Sequence, residues 1–234
     1  MCGIAGIYSI NKKINKKNLL QMSEAIDHRG QDDDGHYINN NFGLAHKRLS
    51  IIDLSNNASQ PFISFDKRYV LAFNGEIYNF REIKKKLFRK YKFISNSDSE
   101  VVLYAFYEWG KNCFKLFNGM FAITIWDNKL KKVVLARDRY GMKPLYYYCD
   151  GKNLIFASEI KSILKSKLYR KELDYYGLCE YLTFQNYISN KTLFKNILLL
   201  SQGTIMEFNS ELESSSEIYW DFNFFNKNSL IQGS

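Results

Sequence analysis

Cysteine stands second in the sequence, which opens MCGIAGIYS. A thiol attacks a carbonyl as its thiolate, and with an ordinary pKa of ~8.5 it needs a base nearby at neutral pH. With Met1 removed, Cys2 carries that base itself. Its free α-amine, with a pKa of ~7.7–8, is partly neutral and can take the thiol proton. Nucleophile and base then belong to one residue, the logic of an N-terminal nucleophile hydrolase. The small side chain after Met1 favours its removal. Two other readings stand beside this one: Cys2 as a small buried apolar residue, and Cys2 paired with His28, His36 or His46.

Attack on an amide needs hydrogen-bond donors for the oxyanion that develops. In AFNGEIYN the Asn74 side-chain amide and the Gly75 N–H can supply them, with Gly75 letting a substrate approach the backbone closely. Asn-Gly between apolar stretches is also a hairpin-turn signal, although the EIYNFREI that follows reads as the opening of a helix and not as a return strand. Arg48, in AHKRLSIID, can hold a carboxylate through paired hydrogen bonds, or can be an exposed charge at a strand end. Asp98, in SNSDSE, can face a substrate ammonium, or can complement the dipole at a helix start. Together these positions suit one ligand: an amino acid with a carboxylate, an ammonium and a distal amide, which is glutamine.

Several elements must position these residues. Residues 2–9 read as a buried strand at the extreme terminus. Apolar spacing at Leu19, Leu20, Met22 and Ile26 predicts a helix over 17–28, followed by a polar loop, DHRGQDDDG. Residues 42–52 and 68–73 read as strands. Asn79-x-x-Glu82 and Ser97-x-x-Glu100 have the capping-box pattern and predict two helices. Strand-like runs follow at 120–127, 131–136, 144–149 and 153–158, then helices through 159–165 and 174–183. Within this stretch RDRYGMKPLYY reads as a structural turn, not a phosphate site, with Gly141 permitting positive φ and Pro144 opening the next strand. Clustered antiparallel strands with helices set apart favour an α+β fold.

The 234 residues are 46% hydrophobic and 16% aromatic, which excludes global disorder. No apolar run approaches the ~18 residues of a membrane span. The net charge of +9 suggests nucleic acid, but residues 1–150 hold 24 Lys and Arg against 15 Asp and Glu, while residues 151–234 are balanced at nine each. The excess lies in interrupted Lys runs, without a nucleic-acid motif, and reads as solvated faces. The four cysteines, at 2, 113, 149 and 179, lack the C-x₂₋₄-C spacing of a structural zinc site. No charged segment precedes the apolar start, so no signal peptide is expected. Free thiols in a reducing, cytoplasmic setting are expected instead.

The motifs MCGIAGIY, HRGQDDDG, LAHKRLSIIDLS, QPF, FNGEIYN, SDSE, FNGMFAITIWD, RDRYGMKPLYY and FASEIKSIL occur in that order. This series resembles the class II glutamine amidotransferase (glutaminase) domain of glutamine-hydrolysing asparagine synthetases, over residues 2–205. The AHKRLSIID segment separates that branch from sugar-phosphate and phosphoribosyl amidotransferases, which share the terminal Cys-Gly-Ile. The resemblance implies a four-layer αββα fold, two antiparallel sheets flanked by helices. It implies that Cys2 attacks the glutamine side-chain carbonyl, that its α-amine relays the proton, and that Asn74 and Gly75 form the oxyanion hole and contact the substrate. Arg48 would hold the substrate carboxylate, with Leu49, Ile51 and Ile52 beside it. Glu76 and Asp98 would surround the ammonium.

Ammonia would then pass to an ATP-dependent synthetase domain, for asparagine formation or another amide transfer. No cofactor or metal is implied for the glutaminase half. ATP and magnesium belong to the synthetase domain, whose Ser-Gly-Gly-x-Asp-Ser loop does not occur in this sequence. The implied partners are glutamine and that domain, with neither nucleic acid nor membrane. Alternatives are the glutaminase half of a sugar-modifying amidotransferase, and a glutamine-binding domain inactive without its partner. Residues 206–234 read as a linker toward the synthetase domain, with the final Gly-Ser a cloning remnant. Gln31 stands where the family usually has proline after His-Arg-Gly, a change of loop stiffness more than chemistry. His28 and Arg29 receive no assigned role.

Overall fold

The N-terminal strand β1 (Gly3–Ser9) is buried along its whole length because both of its faces are covered. Ile4 and Tyr8 point into a core between two sheets, while Ala5 and Ile7 point into a second core under helices. This is period-two alternation with no solvent face. In the computed structural model, which describes residues 1–222, β1 lies inside a six-stranded antiparallel sheet. The other strands of that sheet are β2 (Asp33–Asn39), β3 (Phe42–Arg48), β8 (Tyr146–Cys149), β9 (Asn153–Ala157) and β10 (Leu198–Leu199), in the order β10-β8-β9-β1-β3-β2.

The second sheet runs β12-β11-β7-β6-β5-β4. It comprises β4 (Phe62–Ile63), β5 (Tyr69–Ile77), β6 (Gly119–Asp127), β7 (Lys132–Arg137), β11 (Thr204–Phe208) and β12 (Ser214–Ile218). The sheets face each other across Tyr8, Phe42, Trp126, Leu135 and Phe156. The Phe42 and Trp126 rings stack with centroids 4.3 Å apart, an arrangement that adds to their area burial. Helices α1 (Lys16–Glu24) and α5 (Ile160–Lys165) cover the first sheet through Leu19, Met22 and Ile163. The second is covered by α2 (Phe80–Leu87), α3 (Asp98–Trp109) and α4 (Cys113–Leu116), through Ile83, Leu103 and Phe114. The result is the expected αββα sandwich, of class α+β. A further helix, α6 (Tyr175–Phe184), buries only Gly177.

Several boundaries differ from the sequence expectation. The strand expected at 42–52 ends at Arg48, where the chain leaves the sheet as a loop. The strand expected at 68–73 continues to Ile77, so Asn74-Gly75 is not a hairpin turn but part of a strand, paired with Ala122 and Phe121, and the helix read into EIYNFREI opens at Phe80. The polar DHRGQDDDG loop contains a 3₁₀ turn at Asp27–Arg29 and the start of β2, because Asp33 and Asp34 pair with Arg48 and Lys47. The expected linker does not begin at 206. Residues 204–208 pair with β7 on one side and with residues 214–218 on the other. Ile205 and Phe208 are buried in the cores on either face of that sheet. The rest of that expectation, including the terminal Gly-Ser, lies outside the described residues. No described helix is long and apolar enough to cross a membrane.

The two expected capping boxes also differ. The Ser97 side chain accepts from the Ser99 N–H and caps α3. Glu100, however, turns to the Ile94 and Ser95 N–H groups and the Ser95 hydroxyl instead of reaching back to Ser97. Asn79 does not cap α2. Its side chain donates to the Leu116 carbonyl and accepts from the Asn118 N–H, tying β5 to the approach of β6.

Candidate active site

Cys2 precedes β1, Arg48 ends β3, Asn74 to Glu76 lie in β5, and Asp98 opens α3. These chain positions converge on one cavity of about 240 Å³, whose walls include Cys2, Arg48, Leu49, Ile51, Ile52, Asn74, Gly75, Glu76 and Asp98. Every residue proposed from the sequence is therefore at one place. Asp53, Gln60, Met120 and Lys143 also line it and had no role in the sequence reading.

The Cys2 thiol lies against the backbone of Leu49, donating to its carbonyl at 3.6 Å and accepting from its N–H at 3.4 Å. Burial pushes the thiol pKa up; the Leu49 N–H, the chain terminus and Arg48 oppose it. No histidine assists. His28 is bonded to Glu159, His46 to the Phe73 carbonyl, and His36 lies 3.3 Å from Asp34. The Cys–His dyad is thus not formed. Met1 lines the cavity; while it is attached, the Cys2 nitrogen is a peptide amide and not a base.

Arg29, without an assigned role in the sequence reading, holds the Cys2 backbone. Its Nε donates to the Cys2 carbonyl at 2.9 Å, and its Nη1 lies 2.8 Å from Glu159. Burial pushes the Glu159 carboxyl up, but bonds from Arg29, Lys161 and His28 outweigh this and hold its pKa at about 2. The sequence signal for this pair was the HRG and ASE motifs, which lie 130 residues apart and show no mutual spacing cue.

Asn74 and Gly75 are placed by β5, whose edge away from β6 is only partly covered by β4. β4 pairs with β5 only at Leu71 and Val70. Beyond them the Gln60 side chain takes the place of a strand: its Oε1 accepts from the Phe73 N–H at 2.7 Å and its Nε2 donates to the Phe73 carbonyl at 3.2 Å. Further along the same edge the Ile77 N–H donates to Asp98 at 2.9 Å. Backbone groups on a strand alternate sides, so the Gly75 N–H points to this edge too, between two occupied neighbours. Asn74 is 1% exposed, and its side-chain nitrogen has no hydrogen-bond partner. An unpaired buried amide donor costs free energy, and a substrate oxygen in the cavity would relieve that cost. Glycine at 75 has a reason other than substrate approach. A Cβ there would lie 2.1 Å from the Met120 carbonyl on β6.

Arg48 is buried, not an exposed strand-end charge. Its Nη1 donates to the Ser55 carbonyl at 3.0 Å and its Nη2 to the Asp53 carbonyl. Those bonds orient the guanidinium and leave further N–H donors for a carboxylate. Asp53 accepts from the Ser55 N–H and hydroxyl and from the Asn96 N–H, strapping the 49–55 loop to the segment before α3. Asp98 is buried as well, and desolvation pushes its carboxyl up to about 6, against the Ile77 N–H and Ser97 hydroxyl that favour the charged form. A buried carboxylate without a cationic partner suits an incoming ammonium.

A family model described as a glutamine amidotransferase domain matches residues 1–220. The chain belongs to the glutamine amidotransferase domain family. A putative glutamine-hydrolysing asparagine synthetase of Methanocaldococcus jannaschii is 40% identical over 190 residues, covering 74% of this chain and 36% of that protein. A glutamine-hydrolysing asparagine synthetase of Bacillus subtilis is 36% identical over 230 residues, covering 94% of this chain and 30% of that protein. An amidase of Gibberella zeae is 31% identical over 241 residues, 97% of this chain and 35% of that protein. This amidotransferase domain thus spans about a third of the length of these relatives. Among solved structures, the glutamine phosphoribosylpyrophosphate amidotransferase of B. subtilis superposes with a TM-score of 0.69 at 18% identity, over 94% of this chain and 49% of that one. It shares the N-terminal nucleophile hydrolase fold with this glutamine amidotransferase domain.

Proposed function

We propose that the domain hydrolyses the side-chain amide of glutamine through a thioester on Cys2. The observation that carries this reading is the unpartnered Asn74 amide nitrogen on the wall of the cavity that holds Cys2. After Met1 is removed, the α-amine takes the thiol proton and Sγ bonds to the amide carbon. The carbonyl oxygen becomes an oxyanion facing the Asn74 side chain and the Gly75 N–H. The proton passes to the amide nitrogen, the C–N bond breaks and ammonia leaves. Water then gives a proton to the α-amine as it attacks the thioester, the C–S bond breaks, the sulfur takes that proton back, and glutamate forms. The free donors of Arg48 hold the substrate carboxylate. Asp98, with Glu76, holds the ammonium. Leu49, Ile51 and Ile52 present apolar surface at the mouth. Each proposed step uses protein groups, the substrate and one water.

The ammonia is supplied to an ATP-dependent synthetase domain that uses magnesium, with asparagine as the favoured product, since relatives of about 40% identity carry that name. The amidase relative keeps other amide transfers open. The four free cysteines suit a reducing, cytoplasmic setting.

The test is glutamate release from protein whose Met1 content is known by intact mass. Processed protein is expected to turn over glutamine, while Cys2→Ala and a Met1-retaining form are expected to be nearly inactive. Unchanged turnover in Cys2→Ala would sink the mechanism. Equal activity with Met1 retained would remove the amine as base.

A further inference from the structure

The FASE stretch, Phe156 to Glu159, is one of the ordered motifs, yet none of its residues lines the cavity. It reaches the start of β1 at two places instead. Ser158, fully buried, pairs with Ile4: its N–H donates to the Ile4 carbonyl and its hydroxyl accepts from the Ile4 N–H, both at 2.9 Å. Glu159 acts next, through Arg29. Its carboxylate lies 2.8 Å from the Arg29 Nη1, and the Arg29 Nε donates to the Cys2 carbonyl at 2.9 Å. Ser158 and Glu159 thus hold the chain on both sides of Gly3. Glycine there admits the approach, since a Cβ would lie 2.9 Å from the Ile26 Cδ1 and 3.4 Å from the Arg29 Cβ.

Cys2 precedes β1, whose pairing with β3 begins at Gly3. A residue beyond the ladder at a chain end frays unless it is tied down, and removal of Met1 makes Cys2 that end. The bond to its carbonyl is the tie. Arg29 can serve as the tie because it is itself fixed. It is 8% exposed, and among the described residues Glu159 is the one carboxylate paired with it. Its Nη2 is buried without a hydrogen-bond partner, so the guanidinium has no second anchor of that kind. Glu159 is held in turn by His28 at 2.8 Å and Lys161 at 3.0 Å. A buried guanidinium that loses its carboxylate is costly; without Glu159 the Arg29 side chain turns toward solvent and releases Cys2. We propose that Glu159 is a positioning residue for Cys2: acting through Arg29, it fixes the Cys2 carbonyl and with it the place of the thiol and of the α-amine freed by loss of Met1. The effect on turnover rests on the hydrolysis reading above; the anchoring of Cys2 does not.

The experiment compares wild type, Glu159→Ala and Glu159→Gln as Met1-processed protein. It follows glutamine turnover, and alkylation of each cysteine by iodoacetamide read by mass spectrometry. Arg48 and Asp98, the groups proposed for the substrate carboxylate and ammonium, are bonded elsewhere, to Ser55 and Asp53 and to Ile77 and Ser97. Glu159→Ala is therefore expected to lower kcat about a hundredfold, the cost of an ångström-scale misplacement, with KM within about twofold. Glu159→Gln keeps an oxygen for Arg29 and is expected to recover about tenfold of that loss. The Cys2 thiol, packed against Leu49 in the wild type, is expected to be alkylated about threefold or more faster in Glu159→Ala as it leaves that place. Cys113, fully buried in another core, is expected to stay unreactive in all three proteins. Alkylation of Cys2 in Glu159→Ala at the wild-type rate overturns the proposal, as does a loss of turnover carried by KM with kcat intact. If Cys113 becomes reactive in Glu159→Ala, the fold as a whole has loosened, and Arg29→Lys is read in its place; lysine keeps a charge for Glu159 but lacks the planar fork that spans carboxylate and carbonyl. Should the wild type release no glutamate, the hydrolysis reading fails, while the alkylation rates still decide the anchoring of Cys2.

Discussion

Asp98 sits on the cavity wall with a carboxyl pushed up to about 6 from an ordinary 3.8, chiefly by desolvation. Its replacement by asparagine tests whether the site holds a charge against stability for the sake of a ligand. Between 3.8 and about 6 the folded protein keeps the Asp98 proton and the unfolded chain has lost it. Stability from this group is therefore full below 3.8, falls as pH rises through about 6, and is flat above. That shift corresponds to roughly 3 kcal/mol of destabilisation at neutral pH. Asparagine keeps an oxygen for the Ile77 N–H and removes the charge. Asp98→Asn should therefore be about 1–3 kcal/mol more stable than wild type at about pH 8, and nearly equal to it at about pH 4.

His46 sharpens the test. It is fully buried and neutral, with its pKa lowered to about 4 by desolvation. Its contribution is present above 6.5 and is lost as pH falls through about 4, opposite in slope to Asp98 over nearly the same window. The two nearly cancel in the wild type, so Asp98→Asn should expose a stability that rises with pH between about 4 and 6.5. Urea denaturation of both proteins across this range measures it. At the same time kcat/KM for glutamine should fall about a hundredfold or more, mainly through KM, as for loss of one partner in a buried charge pair. Equal or lower stability of Asp98→Asn at about pH 8, with a gap independent of pH, would refute the argument.

Gly75→Ala should cost about 2–4 kcal/mol by denaturation, because its Cβ meets the Met120 carbonyl on the neighbouring strand. Such a loss with glutamine turnover intact in the folded fraction would confine Gly75 to packing. Asp138→Ala leaves the N–H groups of Phe121, Tyr140, Met142 and Lys143 without their acceptor. Its expected cost is at least ~3 kcal/mol, read by thermal denaturation, and a loss under ~1 kcal/mol would mean that these bonds do not hold the turn.

Much of this site was readable in one dimension because its chemistry rests on residue types that keep their roles wherever the chain puts them. A thiol at position 2, an Asn-Gly pair, an arginine and an acidic residue before a helix already described a glutamine, and the ordered motifs named the family. The cavity brings all of them together. What misled was local. Asn-Gly resembles a hairpin signal, yet it lies in mid-strand because β6 offers nine consecutive partners to β5 and the Gln60 side chain satisfies the opposite edge. The polar segment after residue 206 suggested a linker, but both faces of β11 are buried and β12 pairs with it, which keeps that region in the sheet.

The sequence by itself pointed to Cys2 as the proposed nucleophile, to removal of Met1 as the proposed condition for it, and to the ligand groups the site would meet, since these follow from functional groups and from position in the chain. Only the tertiary structure decided what holds them and what surrounds them. Arg29 reaches the Cys2 carbonyl, Gln60 stands in for a strand, and Lys143 arrives at the cavity through a turn that sequence alone leaves structural. Hydrogen bonds and fields act over a few ångströms in space, whereas these residues lie tens of positions apart, so no spacing in the chain records them.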